Sequence, residues 1–230
     1  MKKTLLILAA ILATFTSQAQ ITTRIEGTVS GVKEDEKLLL GQWQQDFRVV
    51  EPVEIPIVCG RFAYEFTARD TTAYVLRLSS EYNDEGAWLD YIFFSEGGTL
   101  RLSLAKGDAE LKVEGGRLSR QFHSLYSRLY PIYRERDERE AAGMLDDADF
   151  KRRSKAASIA MQAARDSIIA AAPSPLGLLL MSFKQRYGKG DGIEENLPRY
   201  ETALLDHPIT RLVRNKIISD KMRETGGQIP

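Results

Sequence analysis

The 230-residue chain carries 32 basic and 32 acidic residues, so its formal net charge is zero, and 43% of its residues are hydrophobic. Nothing in that balance argues for nucleic-acid binding, which requires a concentrated basic face. The single cysteine, Cys59, excludes an intramolecular disulfide, and no Cys-x-x-Cys pair exists to run a dithiol cycle, so packing alone has to hold the fold.

Residues 1–19 have the three-part layout of a secretory signal peptide: Lys2 and Lys3, an apolar run from Leu5 to about Phe15, then Ser17-Gln18-Ala19 with small residues where a signal peptidase cuts. The run is shorter than the roughly 20 apolar residues of a permanent membrane helix, so cleavage is expected after Ala19. A lipoprotein signal would place a cysteine at the cut, and no cysteine stands there. The mature chain, slightly acidic once Lys2 and Lys3 are gone, is therefore expected to be exported, periplasmic and soluble, with no integral membrane segment. Its length of about 210 residues suits two small domains.

From residue 20 to 116 the pattern is that of strands. Residues 24–29, 61–66 and 99–104 alternate apolar and polar side chains, and strands are also expected at 37–43, 47–57, 73–78, 87–94 and 110–114. Turn signals such as Cys59-Gly60, Gly97-Gly98 and Lys106-Gly107-Asp108 separate them. The connections are too short for crossover helices, which predicts an antiparallel β-sandwich or open barrel. Pro52 and Pro56 cannot donate to a ladder and mark an edge strand.

From 117 to 225 the period becomes helical, predicting a C-terminal helical array and an α+β fold. Phe122, Leu125, Tyr126, Leu129 and Tyr133 form one stripe of a helix that begins near Ser119 and is expected to kink at Pro131. The charged run 134–140 reads as a solvated helix surface. An alanine-rich helix follows Asp146-Asp147 and runs to about Ala172. Ser174-Pro175 starts another, whose Leu178-Leu179-Leu180-Met181 run should be the most buried of the set, and two more are expected at 194–206 and 208–223.

No residue is assigned a catalytic, cofactor-binding or metal-binding role. Cys59 is the obvious nucleophile to weigh, but it stands before Gly60 at a hairpin turn, with only Arg61 as a local cation and no helix dipole to activate it, and reads as an incidental thiol. His123 and His207 lack second ligands at metal spacing; His123 flanks the apolar stripe, and His207 before Pro208 suits a capping role. The acidic clusters Glu34-Asp35-Glu36 and Asp146-Asp147-Asp149 do not follow the calcium-loop pattern and read as solvated. The lysine-bearing run Gly188-Lys189-Gly190-Asp191-Gly192 lacks the phosphate-loop signature and reads as a hinge. Trp43, Trp88, Tyr91, Phe93 and Phe94 include neighbours that point to opposite faces of a strand; either the helical half covers their outer face or that face binds a ligand.

The motifs Ile25-x-Gly27-x-Val29, Val58-Cys59-Gly60-Arg61-Phe62-x-Tyr64-x-Phe66, Tyr91-Ile92-Phe93-Phe94-Ser95-Glu96-Gly97-Gly98-Thr99-Leu100 and Val113-Glu114-Gly115-Gly116, taken in order, resemble the N-terminal β-module of envelope proteins of the thiol-disulfide interchange type. In that family the module precedes a helical segment and a thioredoxin-like, peroxiredoxin-like domain. Residues 173–180 resemble the helical segment, and residues 226–230, Gly226-Gly227-Gln228-Ile229-Pro230, look like a stub leading into the redox domain. Cys59 departs from the Asp or Asn usual before the turn glycine.

The resemblance implies a noncatalytic envelope module that positions or docks a thioredoxin-like redox domain or another partner, with no activity or cofactor of its own. A second expectation is the N-terminal part of a thiol-disulfide oxidoreductase or peroxidase whose catalytic domain lies outside this sequence. A third is a ligand-binding β-domain.

Overall fold

The computed structural model describes residues 20–43, 52–82, 90–144, 147–187 and 192–224. The expected signal, the stub at 226–230, Trp88, Asp146 and residues 188–191 lie outside the described residues. The fold is α+β. Its strands are β1 (Ile21–Ser30), β2 (Lys37–Gln42), β3 (Val53–Pro56), β4 (Arg61–Ala68), β5 (Ala73–Leu78), β6 (Tyr91–Phe94), β7 (Gly98–Ala105) and β8 (Lys112–Glu114). Its helices are α1 (Ser79–Tyr82), α2 (Arg117–Tyr126), α3 (Tyr130–Ala141), α4 (Ala148–Ala170), α5 (Pro175–Tyr187), α6 (Ile193–Ala203) and α7 (Pro208–Glu224).

Two four-stranded sheets face each other, one ordered β4-β1-β7-β8 and the other β3-β2-β5-β6. Alternation sets which residues meet between them: Ile25, Phe62, Leu100 and Leu102 from the first sheet interlock with Leu38, Leu40, Leu76 and Phe93 from the second. β3 is an edge strand paired only with β2, and Pro56 sits opposite Lys37 in its register, as its prolines require.

One pairing departs from the antiparallel expectation. β1 and β7 run parallel, with Ile25 opposite Leu100 and Gly27 opposite Leu102. Short connections forbid parallel pairing only between consecutive strands. Between β1 and β7 the chain builds the other sheet and β4, which gives it length enough to return to the starting end.

The second sheet is covered on both faces. Its outer face presents Trp43, Ala73, Val75, Ile92 and Phe94, which share one core with Leu118 and Phe122 of α2, Leu176 to Met181 of α5, Tyr200 of α6 and Val213 of α7. This explains the nearly continuous burial of β5 and β6. The molecule thus has three layers: the first sheet, the second sheet and the helices.

Local chemistry sets the helix ends. Asp147 caps α4 by accepting from the Phe150 N–H at 2.7 Å, and the Ser174 hydroxyl accepts from the Gly177 N–H at 3.1 Å to open α5. One expectation is corrected. Pro131 does not kink a long helix; it sits in the first turn of α3 after α2 has ended at Tyr126, where its missing N–H leaves no bond unmade. α2 starts at Arg117, just before Ser119, and is capped from outside by Glu96. That carboxylate accepts from the Leu118 N–H at 2.7 Å and the Ser119 N–H at 3.1 Å.

Candidate functional site

The polar residues singled out in the sequence do not converge. Cys59 is exposed on a two-residue hairpin turn in which Val58 and Arg61 exchange backbone bonds of 2.8 and 3.0 Å. Cys59 (φ 50°) and Gly60 (φ 69°) both lie in the left-handed region that this primed turn demands. The thiol therefore stands on a turn between strands, closed by the backbone bonds of Val58 and Arg61.

The histidines are occupied elsewhere. His123 is half-buried between α2, β6 and α3: its Nε2 lies 2.7 Å from the Ile92 carbonyl and its Nδ1 2.8 Å from the Tyr130 hydroxyl. The carbonyl can only accept, so Nε2 carries the proton and Nδ1 accepts from Tyr130. Burial pulls this imidazole down to about 4, against the upward push of the Ile92 bond and the Glu110 charge. His207 donates from Nε2 to the Thr71 carbonyl at 3.0 Å and accepts the Ile209 N–H on Nδ1 at 3.2 Å, capping α7. Burial lowers its pKa as well, opposed by the Thr71 bond and the Asp70 charge. Each ring is a structural rivet between a helix and the second sheet.

Of the acidic clusters, Glu34 and Asp35 are exposed, as expected of a solvated run, while Glu36, Asp147 and Asp149 are engaged in the structure. Glu36 is not solvated: it accepts from the Ser79 hydroxyl at 2.6 Å and the Ser80 N–H at 2.8 Å, with Lys106 at 3.8 Å. Burial pushes its carboxyl up, but those bonds and the Lys106 charge outweigh it and leave the group below the usual carboxylate range. Asp149 pairs with Arg152 and Arg153 on its own helix. Among the described residues, no group of three or more His, Cys, Asp or Glu side chains is placed to hold a metal ion.

The aromatic residues are interior. Tyr91 and Phe93 point between the sheets, while Trp43 and Phe94 lie beneath the helices, each 2% exposed or less. Among the described residues the helical half therefore covers the outer aromatic face.

What remains open is the outer face of the first sheet, where a groove of about 770 Å³ spans all four strands. Its floor is set by register. Arg61 pairs with Thr28, Thr28 with Ser103 and Ser103 with Lys112, so these four side chains form one row across the sheet. The two hydroxyls in the middle are joined by a 3.2 Å hydrogen bond from Thr28 to Ser103. The next row runs Ala63, Glu26, Arg101, Glu114, with Glu26 accepting from both Arg24 and Arg101 at 3.3 Å. Among the described residues the side chains of Arg61 and Lys112 have no hydrogen-bonding or ionic partner. Sequence reasoning missed this row because each member reads as an ordinary outward-facing strand residue. Alternation placed them on one face, but only register aligns them.

No helix of the described residues is long and apolar enough to cross a membrane. No protein-family model matches the chain, and no curated protein matches it.

Proposed function

We propose that the chain is a noncatalytic exported module of the cell envelope that positions or docks a thioredoxin-like redox domain or another partner. The observation that carries this reading is the disposition of the thiol chemistry. Cys59, the one sulfhydryl in the sequence, stands exposed on a β-turn, while both imidazoles that could activate it are engaged in bonds to Ile92, Tyr130, Thr71 and Ile209. Thiol-disulfide exchange within one chain needs a second sulfur to resolve the mixed disulfide. Export rests on the layout of residues 1–19, and docking on the polar face of the first sheet, which the rest of the fold leaves open.

The test is an insulin-reduction and peroxide-turnover assay on the purified chain with dithiothreitol as electron source. The rate should match the protein-free background. Turnover that survives Cys59→Ser would overturn the proposal, because another group would have to be responsible.

A further inference from the structure

The groove on the first sheet has a charge pattern that selects the chemistry of what docks there. Resting on the docking proposal above, we infer that it receives an extended acidic peptide segment of a partner protein, laid across the strands, with two carboxylates four residues apart.

The row Arg61, Thr28, Ser103, Lys112 presents a cation, two hydroxyls and a cation in a line, on the floor of a concave surface. Its ends are three inter-strand steps apart, about 14 Å at ~4.8 Å per step. An extended peptide rises about 3.3 Å per residue and repeats the same face every second residue, so side chains at i and i+4 stand about 13 Å apart. Acidic side chains at those two positions would meet Arg61 and Lys112. The small polar side chain at i+2 would lie over the Thr28–Ser103 pair.

The neighbouring row favours a peptide over a general polyanion. The carboxylates of Glu26, already held by Arg24 and Arg101, and of Glu114 stand along one side of the row. A uniformly charged polyanion would meet these carboxylates, whereas a peptide with neutral residues between its acids offers backbone N–H donors to them. A sugar chain would want apolar ring platforms for its C–H faces, and the one aromatic residue lining this groove, Phe62, is buried. At the Arg61 end the rim is Val58, 66% exposed, which offers apolar contact to a residue flanking the acid.

The experiment uses fluorescein-labelled peptides carrying Glu-Gly-Ser-Gly-Glu, their clustered isomer Gly-Ser-Gly-Glu-Glu, and a sulfated heparin hexasaccharide, titrated against the chain by anisotropy at low salt. The spaced peptide should bind, the isomer several-fold more weakly, and salt should weaken both. Reversal of both end charges, R61E with K112E, should weaken binding at least about tenfold, since each exposed ion pair is worth up to roughly fivefold and reversal adds repulsion. The neutral pair R61Q with K112Q should fall between. R152E with K155E makes the same charge change on α4, in the helical layer on the far side of the second sheet, and should stay within about twofold of the parent. No binding of the spaced peptide, equal binding of both peptides, tighter binding of the sulfated sugar, or equal loss in the α4 variant would each overturn the inference. None of these outcomes bears on the absence of dithiol turnover, so the two proposals fail separately.

Discussion

Gly177 of α5 lies directly against the ring of Tyr200 of α6: a Cβ at position 177 would stand 2.0 Å from the phenol oxygen and 2.8 Å from Cζ. Tyr200 is fully buried and donates to the Ile169 carbonyl of α4 at 3.0 Å, so one side chain ties three helices together, and the missing side chain at 177 makes room for it. Gly177→Ala should therefore destabilise the fold by about 1–3 kcal/mol through overpacking, although alanine is the better helix former. Tyr200→Phe removes the atom in closest conflict at the cost of one buried bond of about 1 kcal/mol. In urea titrations the double variant should be less destabilised than the sum of the singles; strict additivity would mean the two residues do not oppose each other.

Glu96 should behave as a helix cap supplied from another part of the chain. It accepts the Leu118 and Ser119 N–H groups and the Ser119 hydroxyl at 3.2 Å, while that hydroxyl accepts the Phe94 N–H at 2.9 Å. This cluster joins the end of β6 to the start of α2. Loss of an N-cap side chain costs about 0.5–2 kcal/mol, so Glu96→Ala is expected at the upper end of that range. Glu96→Gln keeps an acceptor but loses the negative charge at the helix N-terminus, and should cost less. If the alanine variant unfolds at the parental urea midpoint, the cap contributes nothing.

The strands were legible because each has one face in a core and a period of two; β1, β4 and β7 read directly from Ile25, Phe62 and Leu100 and their neighbours. The capped starts of α4 and α5 were legible because Asp147 and Ser174 act on N–H groups three residues away. What stayed hidden acts over long sequence distance. The parallel pairing of β1 with β7 depends on how two sheets close on each other. Glu36 and Glu96 cap helices 43 and 22 residues further on, so a charge run and a turn residue gave no sign of it. The row from Arg61 to Lys112 needs three registers at once, and no local pattern encodes that.

His123 makes stability depend on pH in a window of its own. Its folded pKa of about 4 lies below the ordinary 6.5, so between those values the unfolded chain binds the extra proton and stability falls as pH falls. From pH 7 to pH 5 the loss should be roughly 2 kcal/mol, with His207 adding in the same direction. Glu36 and Asp147, whose pKa values are lowered in the fold, withdraw their contribution only at more acidic pH, as they protonate. His123→Gln can still donate to Ile92 and accept from Tyr130 without titrating. Urea unfolding of this variant at pH 7 and pH 5 should show a markedly smaller difference; an unchanged difference would place the titration elsewhere.

Cys59 should be freely reactive and conformationally strained, and the two properties can be separated. Its thiol is exposed, so one equivalent should react with an aromatic disulfide reagent in the native protein at about the rate of the denatured chain. Its φ of 50° puts an L-residue in the left-handed region, which costs roughly 1–2 kcal/mol relative to the right-handed one but is eased for asparagine, whose short amide bonds locally. Cys59→Asn should therefore raise the urea midpoint, and Cys59→Val, β-branched and poorly suited to that region, should lower it. Since Cys59 lies on a turn outside both cores, a shift of the same sign in the two variants would point to lost side-chain contacts rather than backbone conformation. Opposite shifts would show that the turn itself sets the preference at this position.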